Sequence, residues 1–491
     1  MHCPLACGGI VAIDRQGNMR ISRTQPALAI LAVVACALSI PTRVGAVPNP
    51  TVTGPIPAHA PPGDPSHDYP FFSFAPGLAD LKGPHHYVEE EYFVEGTANR
   101  YTIPTGVPPD SATGAILDSG HPYKTRLIVR RPARLRDFKG TVFVEWLNVT
   151  AGYDIEAQWT VGWPHIVNEG AVYVGVSAQR VGVQGGGPGS LTVWSPTRYG
   201  SLDVTDGGTI TNDALSYDIF AQAGRAIANP VGVDPLAVLR PKVERVIMSG
   251  ASQSAGRLQI YFNSVRPLDP VYDALFLIVG GGLTRTDQGI KVFKIITETD
   301  APSQLSSRQP DTDEYRRWEV AGAAHADFYF NDYLTPLGAR DGIPPTPMNC
   351  GQPPLSRMPF YEVGNAAGDA LVRWMTDGTA PPIGPPIEFA STSPPVIARD
   401  ALGLALGGIR LPDIEEPLAL NTGSNSGPAF CLLFGTHIPF DDAMLHQLYA
   451  RRGDWISAFT QASRDAFDAG FIGKKDHRLN LQRVRHTQLF R

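Results

Sequence analysis

Short apolar runs rich in β-branched residues recur along the chain, and turn residues bound each of them. Runs of this kind predict β-strands, and runs that are apolar throughout are typical of strands buried on both faces of a parallel sheet. Most of the gaps between these runs are long enough for a helix. The pattern predicts eight strands, at residues 89–94, 125–129, 141–147, 171–177, 243–248, 274–279, 292–297 and 316–320.

Helical patterns lie between these strands at residues 154–169, 215–228 and 253–264, and another follows the last strand at residues 364–377. This alternation predicts an α/β fold, in which helices flank a mostly parallel eight-stranded sheet. The Gly- and Ser-rich stretch 184–211 has no clear pattern and predicts loops over the sheet.

The first 46 residues predict a signal peptide, because Arg20 and Arg23 precede an apolar run and small residues follow it. The run is roughly fifteen residues long, shorter than the roughly twenty that a membrane span needs. We therefore expect export to the periplasm or the medium and no stable membrane span, with Met19 as an alternative start. Lipid anchoring at Cys36, which loosely matches a lipoprotein processing site, is a minor alternative.

Composition divides the rest of the chain into three parts. Residues 47–68 are rich in Pro, Gly and His without periodicity, which predicts a flexible linker. Residues 69–382 contain all the predicted strands and form the expected core. Residues 383–491 begin Pro-rich and continue with amphipathic patterns at 441–450 and 455–469, which predict a helical C-terminal extension packed on the core.

The charge, the motif spacings and the cysteines of the chain bear on three questions: nucleic-acid binding, metal or cofactor binding, and disulfide formation. The net charge is −6 and no dense Lys/Arg cluster is present, so we expect no nucleic-acid partner. Metal-binding spacings of His or Cys and a phosphate loop are also lacking, so no metal and no cofactor are expected. Cys350 and Cys431 remain after signal cleavage, and they predict either one disulfide or two buried thiols. No sequence pattern indicates an oligomeric state.

The strongest chemical signal is the stretch from Ser249 to Ser254, where a buried strand passes into a turn of small residues and then into a helix. This is the setting of a nucleophile elbow, in which a serine hydroxyl projects above the sheet. Ser252 is the preferred nucleophile, since Gly250 and Ser254 are the small residues two positions to either side. Ser254 is a rival within the same turn.

An acid and a base follow the serine in the order that such a site requires. Two carboxylates, Glu298 and Asp300, follow the seventh strand, and we prefer Asp300 as the acid that orients the base, with Glu298 as the alternative. His325 follows the eighth strand within a loop of small residues and is the expected general base. The backbone amides of Gln253, Asn148 and Val149 are the expected donors to an oxyanion.

Several stretches carry a family resemblance beyond these single residues. They are residues 87–98, 144–149, Ser252-Gln253-Ser254 with Gly256-Arg257, residues 318–322 with His325-Ala326-Asp327, Trp374 with residues 377–382, and residues 407–412. In these stretches the sequence resembles a bacterial family of large α/β-hydrolase-domain proteins regarded as carboxylesterases. The resemblance implies the α/β-hydrolase fold and hydrolysis of esters.

The sequence thus predicts a serine hydrolase that cleaves a small-molecule carboxylic ester through an acyl-enzyme intermediate. Two alternatives stay open. The same triad could transfer the acyl group to an alcohol or amine, or the fold could serve a binding protein that has no catalytic activity.

Overall fold

The computed structural model describes residues 47–57, 67–74 and 78–488. The expected signal peptide at residues 1–46, with Met19 and Cys36, lies outside the described residues. Within the described ranges, no helix combines the length and the apolar character needed to cross a membrane.

Among the described residues, ten strands form one large sheet and four more form two hairpins. In chain order they are β1 (Thr51–Thr53), β2 (Tyr87–Thr102), β3 (Ala115–Pro132), β4 (Thr141–Trp146), β5 (Val172–Val176), β6 (Val231–Gly232), β7 (Arg245–Ala251), β8 (Ala274–Ile278), β9 (Lys291–Thr297), β10 (Tyr315–Val320), β11 (Phe389–Thr392), β12 (Pro395–Ile397), β13 (Ala419–Thr422) and β14 (Thr436–Pro439).

The large sheet has the strand order β10-β9-β8-β7-β4-β5-β3-β2-β1-β6. Every neighbouring pair from β10 to β5 is parallel, whereas β3 pairs antiparallel with both β5 and β2. Parallel neighbours need a crossover connection, and helices supply the crossovers from β4 to β5, from β5 to β7 and from β7 to β8, whereas irregular segments connect β8 to β9 and β9 to β10. The predicted mostly parallel α/β sheet is therefore confirmed, and all eight predicted strands are present as β2–β5 and β7–β10.

Two short strands, β1 and β6, extend the sheet beyond the eight predicted strands. β1 pairs antiparallel with β2 and parallel with β6. The segment after β1 also bonds to β2, since Ile56 N donates to Glu91 O at 2.7 Å. The expectation of a flexible linker at residues 47–68 is wrong for this first part, because its backbone is hydrogen-bonded into the sheet. Strands of two or three residues are too short for periodicity to predict.

In the described part of the chain the α-helices pack around this sheet and in the C-terminal region. They are α1 (Leu78–Lys82), α2 (Ala157–Asn168), α3 (Arg180–Gln184), α4 (Leu191–Trp194), α5 (Pro196–Tyr199), α6 (Ser216–Ala228), α7 (Gln253–Ile260), α8 (Phe328–Asp341), α9 (Phe360–Asp377), α10 (Pro412–Glu415), α11 (Cys431–Phe434), α12 (Asp442–Leu448), α13 (Arg452–Asp468) and α14 (Lys474–His486).

The apolar pattern predicted most of the longer helices. α2, α6, α7 and α9 match the four predicted in the core, and α12 and α13 match the two predicted near the C-terminus. The stretch 184–211, predicted as loops, contains the short helices α4 and α5. The pattern does not predict α8 or α14, because α8 contains Pro336 and α14 is almost entirely polar. Neither helix therefore shows a clear apolar face in its sequence.

Side chains of the central strands alternate between two apolar cores on opposite faces of the sheet. In β4, Val142, Val144 and Trp146 belong to one core, whereas Phe143 belongs to the other. Both faces are buried, which explains why the central strands are apolar at most positions rather than at every second one.

Buried charges join β2 to β3. Arg130 Nε lies 2.6 Å from Glu89 Oε2, and its Nη1 lies 2.7 Å from Glu156 Oε2. Arg126 Nε lies 2.6 Å from Glu91 Oε1. We call these five side chains the buried ion network, since none is more than 6% exposed. Charges this deep are tolerated only when each is paired, because water no longer solvates them.

The buried ion network also fixes two neighbouring segments. Arg126 Nη2 donates to the carbonyl of Phe71 at 2.8 Å, and the amide of Phe74 donates to Glu89 at 3.0 Å. Glu156 is the residue directly before α2 and a few positions after the loop that follows β4. The network thus ties the N-terminal segment and the start of α2 to the same pair of strands.

The C-terminal extension packs on the core through apolar contacts, hydrogen bonds and one covalent bond. Leu411, Ile414 and Ile472 belong to the same apolar core as the side chains of β9 and β10. Ile409 N donates to Glu319 O of β10 at 2.7 Å, and Asn480 Nδ2 donates to Glu362 Oε2 of α9 at 3.0 Å. Cys350 and Cys431 form a disulfide with an S–S distance of 2.01 Å and a sequence separation of 81 residues. The extension is therefore attached to the core at several distant points.

Replacing Arg130 by leucine is expected to lower the free energy of unfolding by about 3–5 kcal/mol, because Glu89 and Glu156 would lose a buried counter-charge. Urea denaturation of the two proteins measures the difference. The matched control is Arg134→Leu, whose pair with Asp137 is partly exposed and should contribute about 1 kcal/mol or less. A loss no larger for Arg130→Leu than for the control would show that the buried ion network does not stabilise the fold.

Candidate active site

Ser252 lies in a strained turn between β7 and α7. Its backbone angles are φ 58° and ψ −121°, in a region that side-chain-bearing residues rarely adopt. β7 ends at the residue before it and α7 begins at the residue after it. Its amide donates to Ile278 O of the neighbouring strand at 2.9 Å. The turn is therefore held by the sheet, and it has the strand-turn-helix form of a nucleophile elbow.

Small residues make this turn sterically feasible. A Cβ on Gly250 would lie 3.2 Å from the backbone of Ser254, and a Cβ on Gly280 would lie 2.6 Å from Ser252 O. Gly280 follows Val279, which has φ 45° and is itself strained for a β-branched residue. Sequence reasoning missed the role of Gly280, although the run Gly280-Gly281-Gly282 directly after a strand was the available signal.

Ser254 is fully buried, and its hydroxyl bonds to the backbone of the turn. Its Oγ donates to Ala251 O at 2.8 Å and accepts from Ala251 N at 2.9 Å. Both bonds close the turn around Ser252. Ser254 is absent from the cavity wall to which Ser252 belongs, so the structure does not present the two serines as equivalent.

His325 and Asp300 lie together at the same edge of the sheet. The Nδ1 atom of His325 is 2.8 Å from Asp300 Oδ1, and the two side chains are each 12% exposed. The amide of His325 donates to Thr299 Oγ1 at 3.2 Å. Because Nδ1 is occupied by the carboxylate, Nε2 is the ring nitrogen left for a proton transfer.

Glu298, the alternative acid, contacts other groups. Its Oε2 accepts from the amide of Gly322 at 2.6 Å, and its Oε1 lies 2.7 Å from Arg399 Nη2. Arg399 belongs to the C-terminal extension. Of the two candidate carboxylates, the structure brings Asp300 to His325 and uses Glu298 to fix the loop that precedes His325.

The pKa of His325 is the balance of two opposing effects. Burial lowers this pKa, whereas the charge of Asp300 and the hydrogen bond to it raise the pKa, and the net shift is upward. Asp300 therefore favours the imidazolium form of His325, which is the form that a base reaches after it takes a proton.

The loop after β4 lies beside Ser252, but Asn148 does not offer its amide there. The amide of Asn148 donates to Ile155 O at 3.0 Å, so the expectation that this N–H serves as an oxyanion donor is wrong. Its side chain instead donates from Nδ2 to Ala251 O at 3.0 Å. Among the described residues, no protein acceptor bonds the amides of Val149 and Gln253, the other two expected donors.

One cavity joins these elements. Its volume is about 420 Å³, and its wall includes Ser252, His325 and Asn148. That volume is within the usual range for small-molecule sites. The remaining wall is mostly apolar, and most of it comes from residues 150–157, from α8 and the segment after it, and from residues 430–434. The residues described by the structure contain no group of three or more His, Cys, Asp or Glu side chains arranged to hold a metal ion.

The arrangement brings together the groups needed for nucleophilic attack on a carbonyl. It has a serine hydroxyl on an exposed turn, an imidazole oriented by a carboxylate and unpaired amides near the same cavity. Together they could activate a hydroxyl and stabilise the negative charge that develops on the carbonyl oxygen.

Comparison with known proteins places the chain within one family. The model of a family described as an alpha/beta hydrolase domain matches residues 52–482. This range includes Asn148, Ser252, Asp300 and His325. No curated protein matches the chain.

Three solved structures illustrate the similarity. Esterase Est22 is 11% identical over 54% of this chain and 80% of that chain, with a TM-score of 0.30. XC6422 from Xanthomonas campestris, described as an a/b serine hydrolase without a lid, is 14% identical over 45% of this chain and 92% of that chain, with a TM-score of 0.25. A structure of prolyl endopeptidases is 11% identical over 54% of this chain and 45% of that chain, also with a TM-score of 0.25.

Replacing Asp300 by asparagine is expected to lower the pKa of His325 below that of the wild type, because only the lowering effect of burial would remain. Titration of the histidine Cε1–H resonances by NMR, with His325→Gln for assignment, measures this shift. Glu298→Gln is the control, and it should leave the pKa of His325 nearly unchanged. A pKa equal in wild type and Asp300→Asn would contradict the coupling of the two groups.

Proposed function

The chain belongs to the alpha/beta hydrolase domain family, and we propose that it is a serine esterase. In this proposal Ser252 is the nucleophile, His325 the general base and Asp300 the acid that orients the base. The observation that carries it is the shared cavity, whose wall contains both the strained Ser252 and the histidine bonded to Asp300. A serine in such a turn and a carboxylate-bound imidazole at one cavity support acyl transfer.

In the first step, Ser252 Oγ attacks the carbonyl carbon of the ester while His325 Nε2 takes the hydroxyl proton. The carbonyl oxygen becomes an oxyanion, and the amides of Gln253 and Val149 are the proposed donors to it. When the tetrahedral intermediate collapses, the C–O bond to the alcohol breaks and His325 donates its proton to the departing oxygen. The acyl group then remains on Ser252.

In the second step, water attacks the acyl carbon and His325 takes one of its protons. The bond to Ser252 Oγ breaks, the serine regains its proton from His325, and the carboxylic acid leaves. Asp300 stays ionised throughout and stabilises the imidazolium. These steps require no redox group or metal, so the proposal includes no cofactor.

Asn148 acts as a positioning residue in this scheme. Its side chain bonds the carbonyl at the end of β7, and its Oδ1 accepts from the amide of Thr150 at 2.8 Å. The loop that carries the amide of Val149 is thereby held against the turn that carries Ser252.

We also propose that the protein acts outside the cytoplasm, as its N-terminal sequence predicts. The disulfide between Cys350 and Cys431 supports this location, since such bonds persist mainly in oxidising compartments.

Ser252→Ala is expected to abolish hydrolysis of p-nitrophenyl acetate and butyrate by residues 47–491, with kcat falling by about 10⁴-fold or more. Ser254→Ala should reduce kcat by about tenfold or less, because it removes hydrogen bonds within the turn but no reacting group. A fluorophosphonate probe should label the wild type and fail to label Ser252→Ala. Absence of both hydrolysis and labelling in the wild type would reject the proposed esterase.

The pH dependence of kcat/KM should follow His325, which must be neutral to act as base. Activity should therefore fall as the pH drops through the pKa of His325, and the midpoint should lie above the ordinary value of about 6.5, because Asp300 raises that pKa. In Asp300→Asn the midpoint should move to lower pH, and kcat should fall by about 10⁴-fold through loss of the correct tautomer. An unmoved midpoint in this variant would contradict the assignment of the base.

A further inference from the structure

The wall of the cavity beside Ser252 carries little charge. Of the described residues that form it, none is Asp, Glu, Lys or Arg, and His325 is the one basic side chain. A carboxylate or ammonium group placed inside would lose much of its hydration and would gain no counter-charge, which costs several kcal/mol. The cavity therefore disfavours a charged substrate group.

One face of α8 forms the long side of the cavity. Phe330, Leu334 and Gly338 line it at intervals of four residues, and Asn331, Thr335 and Ala339 line it one position later. This spacing places all six on a single face of the helix. From residue 330 to residue 339 the helix rises about 13 Å, so the cavity offers an elongated surface rather than a small pit.

The C-terminal extension forms another side. Phe430, Leu433 and Phe434 contribute to the wall, with Met348 and Pro344 from the segment after α8. Phe430, Leu433 and Phe434 come from the region that sequence analysis assigned to an extension of the core, whereas Met348 and Pro344 belong to the core region. Without residues 430–434 the cavity would lose part of its apolar wall.

This part of the wall is firmly held. Leu433 O accepts from the amide of Ala326, next to the base, at 2.9 Å, and Phe434 O accepts from Ser356 N at 2.9 Å. The disulfide joins Cys431 to Cys350, two residues after Met348. Two segments of the wall that are far apart in the sequence are thereby linked covalently.

We infer that this cavity is the binding site for an uncharged, elongated apolar group of the ester, and that residues 430–434, fixed by the disulfide Cys350–Cys431, help to set the length of the group that fits. The inference rests on the proposed esterase function and names its substrate class. The apolar group can belong to the acyl or to the alcohol side, and the experiment below separates the two.

The first test compares kcat/KM across two series, p-nitrophenyl esters with acyl chains of two to eight carbons and acetates of alcohols of the same lengths. In the series whose variable group enters the cavity, kcat/KM should rise about fourfold per methylene group, which corresponds to about 0.8 kcal/mol. In that series, the ester whose variable group ends in a carboxylate should be roughly a hundredfold poorer than the uncharged ester of equal length, because the carboxylate lacks a partner. The pair is p-nitrophenyl hydrogen adipate and hexanoate on the acyl side, or 5-carboxypentyl acetate and hexyl acetate on the alcohol side. Equal rates for the pair on the length-dependent side, or flat dependence on length in both series, would overturn the inference.

A second test uses variants of the wall. Ala339→Phe, which fills the cavity from α8, should lower the ratio of kcat/KM for the eight-carbon and two-carbon esters about tenfold. Asp332→Phe, at an exposed position of α8 that does not line this cavity, is the matched control and should leave that ratio unchanged. The double variant Cys350→Ser/Cys431→Ser should also lower the ratio, and thermal unfolding reports whether it remains folded. Ratios equal to wild type in folded Ala339→Phe and in the double variant would contradict the assigned wall.

Binding separates this inference from the proposed function. Ser252→Ala cannot form an acyl-enzyme, yet by calorimetry it should bind the uncharged ester more tightly than its carboxylate counterpart in the pair that belongs to the length-dependent side. If the wild type hydrolyses no ester, the esterase proposal fails while this binding difference still supports the site. If Ser252→Ala binds neither ester, or both equally, the inferred site is wrong.

Discussion

The structure depends on one geometric constraint, the shared direction of the six parallel strands β4, β5 and β7–β10. Parallel neighbours end at the same edge of a sheet, and their registers align these ends closely. Gly250 of β7 pairs with Trp146 of β4, and Val320 of β10 pairs with Thr297 of β9. The residues that follow these ends are the loop of Asn148, then Ser252, Asp300 and His325. Side chains separated by up to 177 positions in the chain thus meet because their strands share one direction.

Strain at this edge is balanced by its surroundings. A residue such as Ser252 with a positive φ costs of order 1–3 kcal/mol and persists only where neighbours hold it. Here two hydrogen bonds between Ser254 and Ala251 hold the turn in this conformation. The absence of a side chain at Gly280 leaves room for the carbonyl of Ser252. The buried ion network contributes at a distance, because it fixes the start of α2 and so limits how far the loop of Asn148 can move.

The sequence predicted the eight long strands because both of their faces are buried, and it singled out Ser252, Asp300 and His325 because each follows a strand end. It preferred Asp300 to Glu298 from position alone and kept Glu298 as an alternative, since the contacts of Glu298 with Arg399 and Gly322 form only in the folded chain. The amide of Asn148 donates a hydrogen bond to Ile155, and no local sequence pattern predicts this bond. The apolar pattern did not predict α8, because this helix contains Pro336 and because one of its faces lines a cavity instead of a core.

The hydroxyl of Thr299 bridges the amide of His325 and the carbonyl of Gly423, at 3.2 and 2.6 Å. Together with the bond from Ala326 to Leu433, this contact makes the loop of the histidine rest on residues about a hundred positions further along the chain. A chain that lacked residues 423–433 would therefore lose both of these hydrogen-bonded supports for the loop that carries His325.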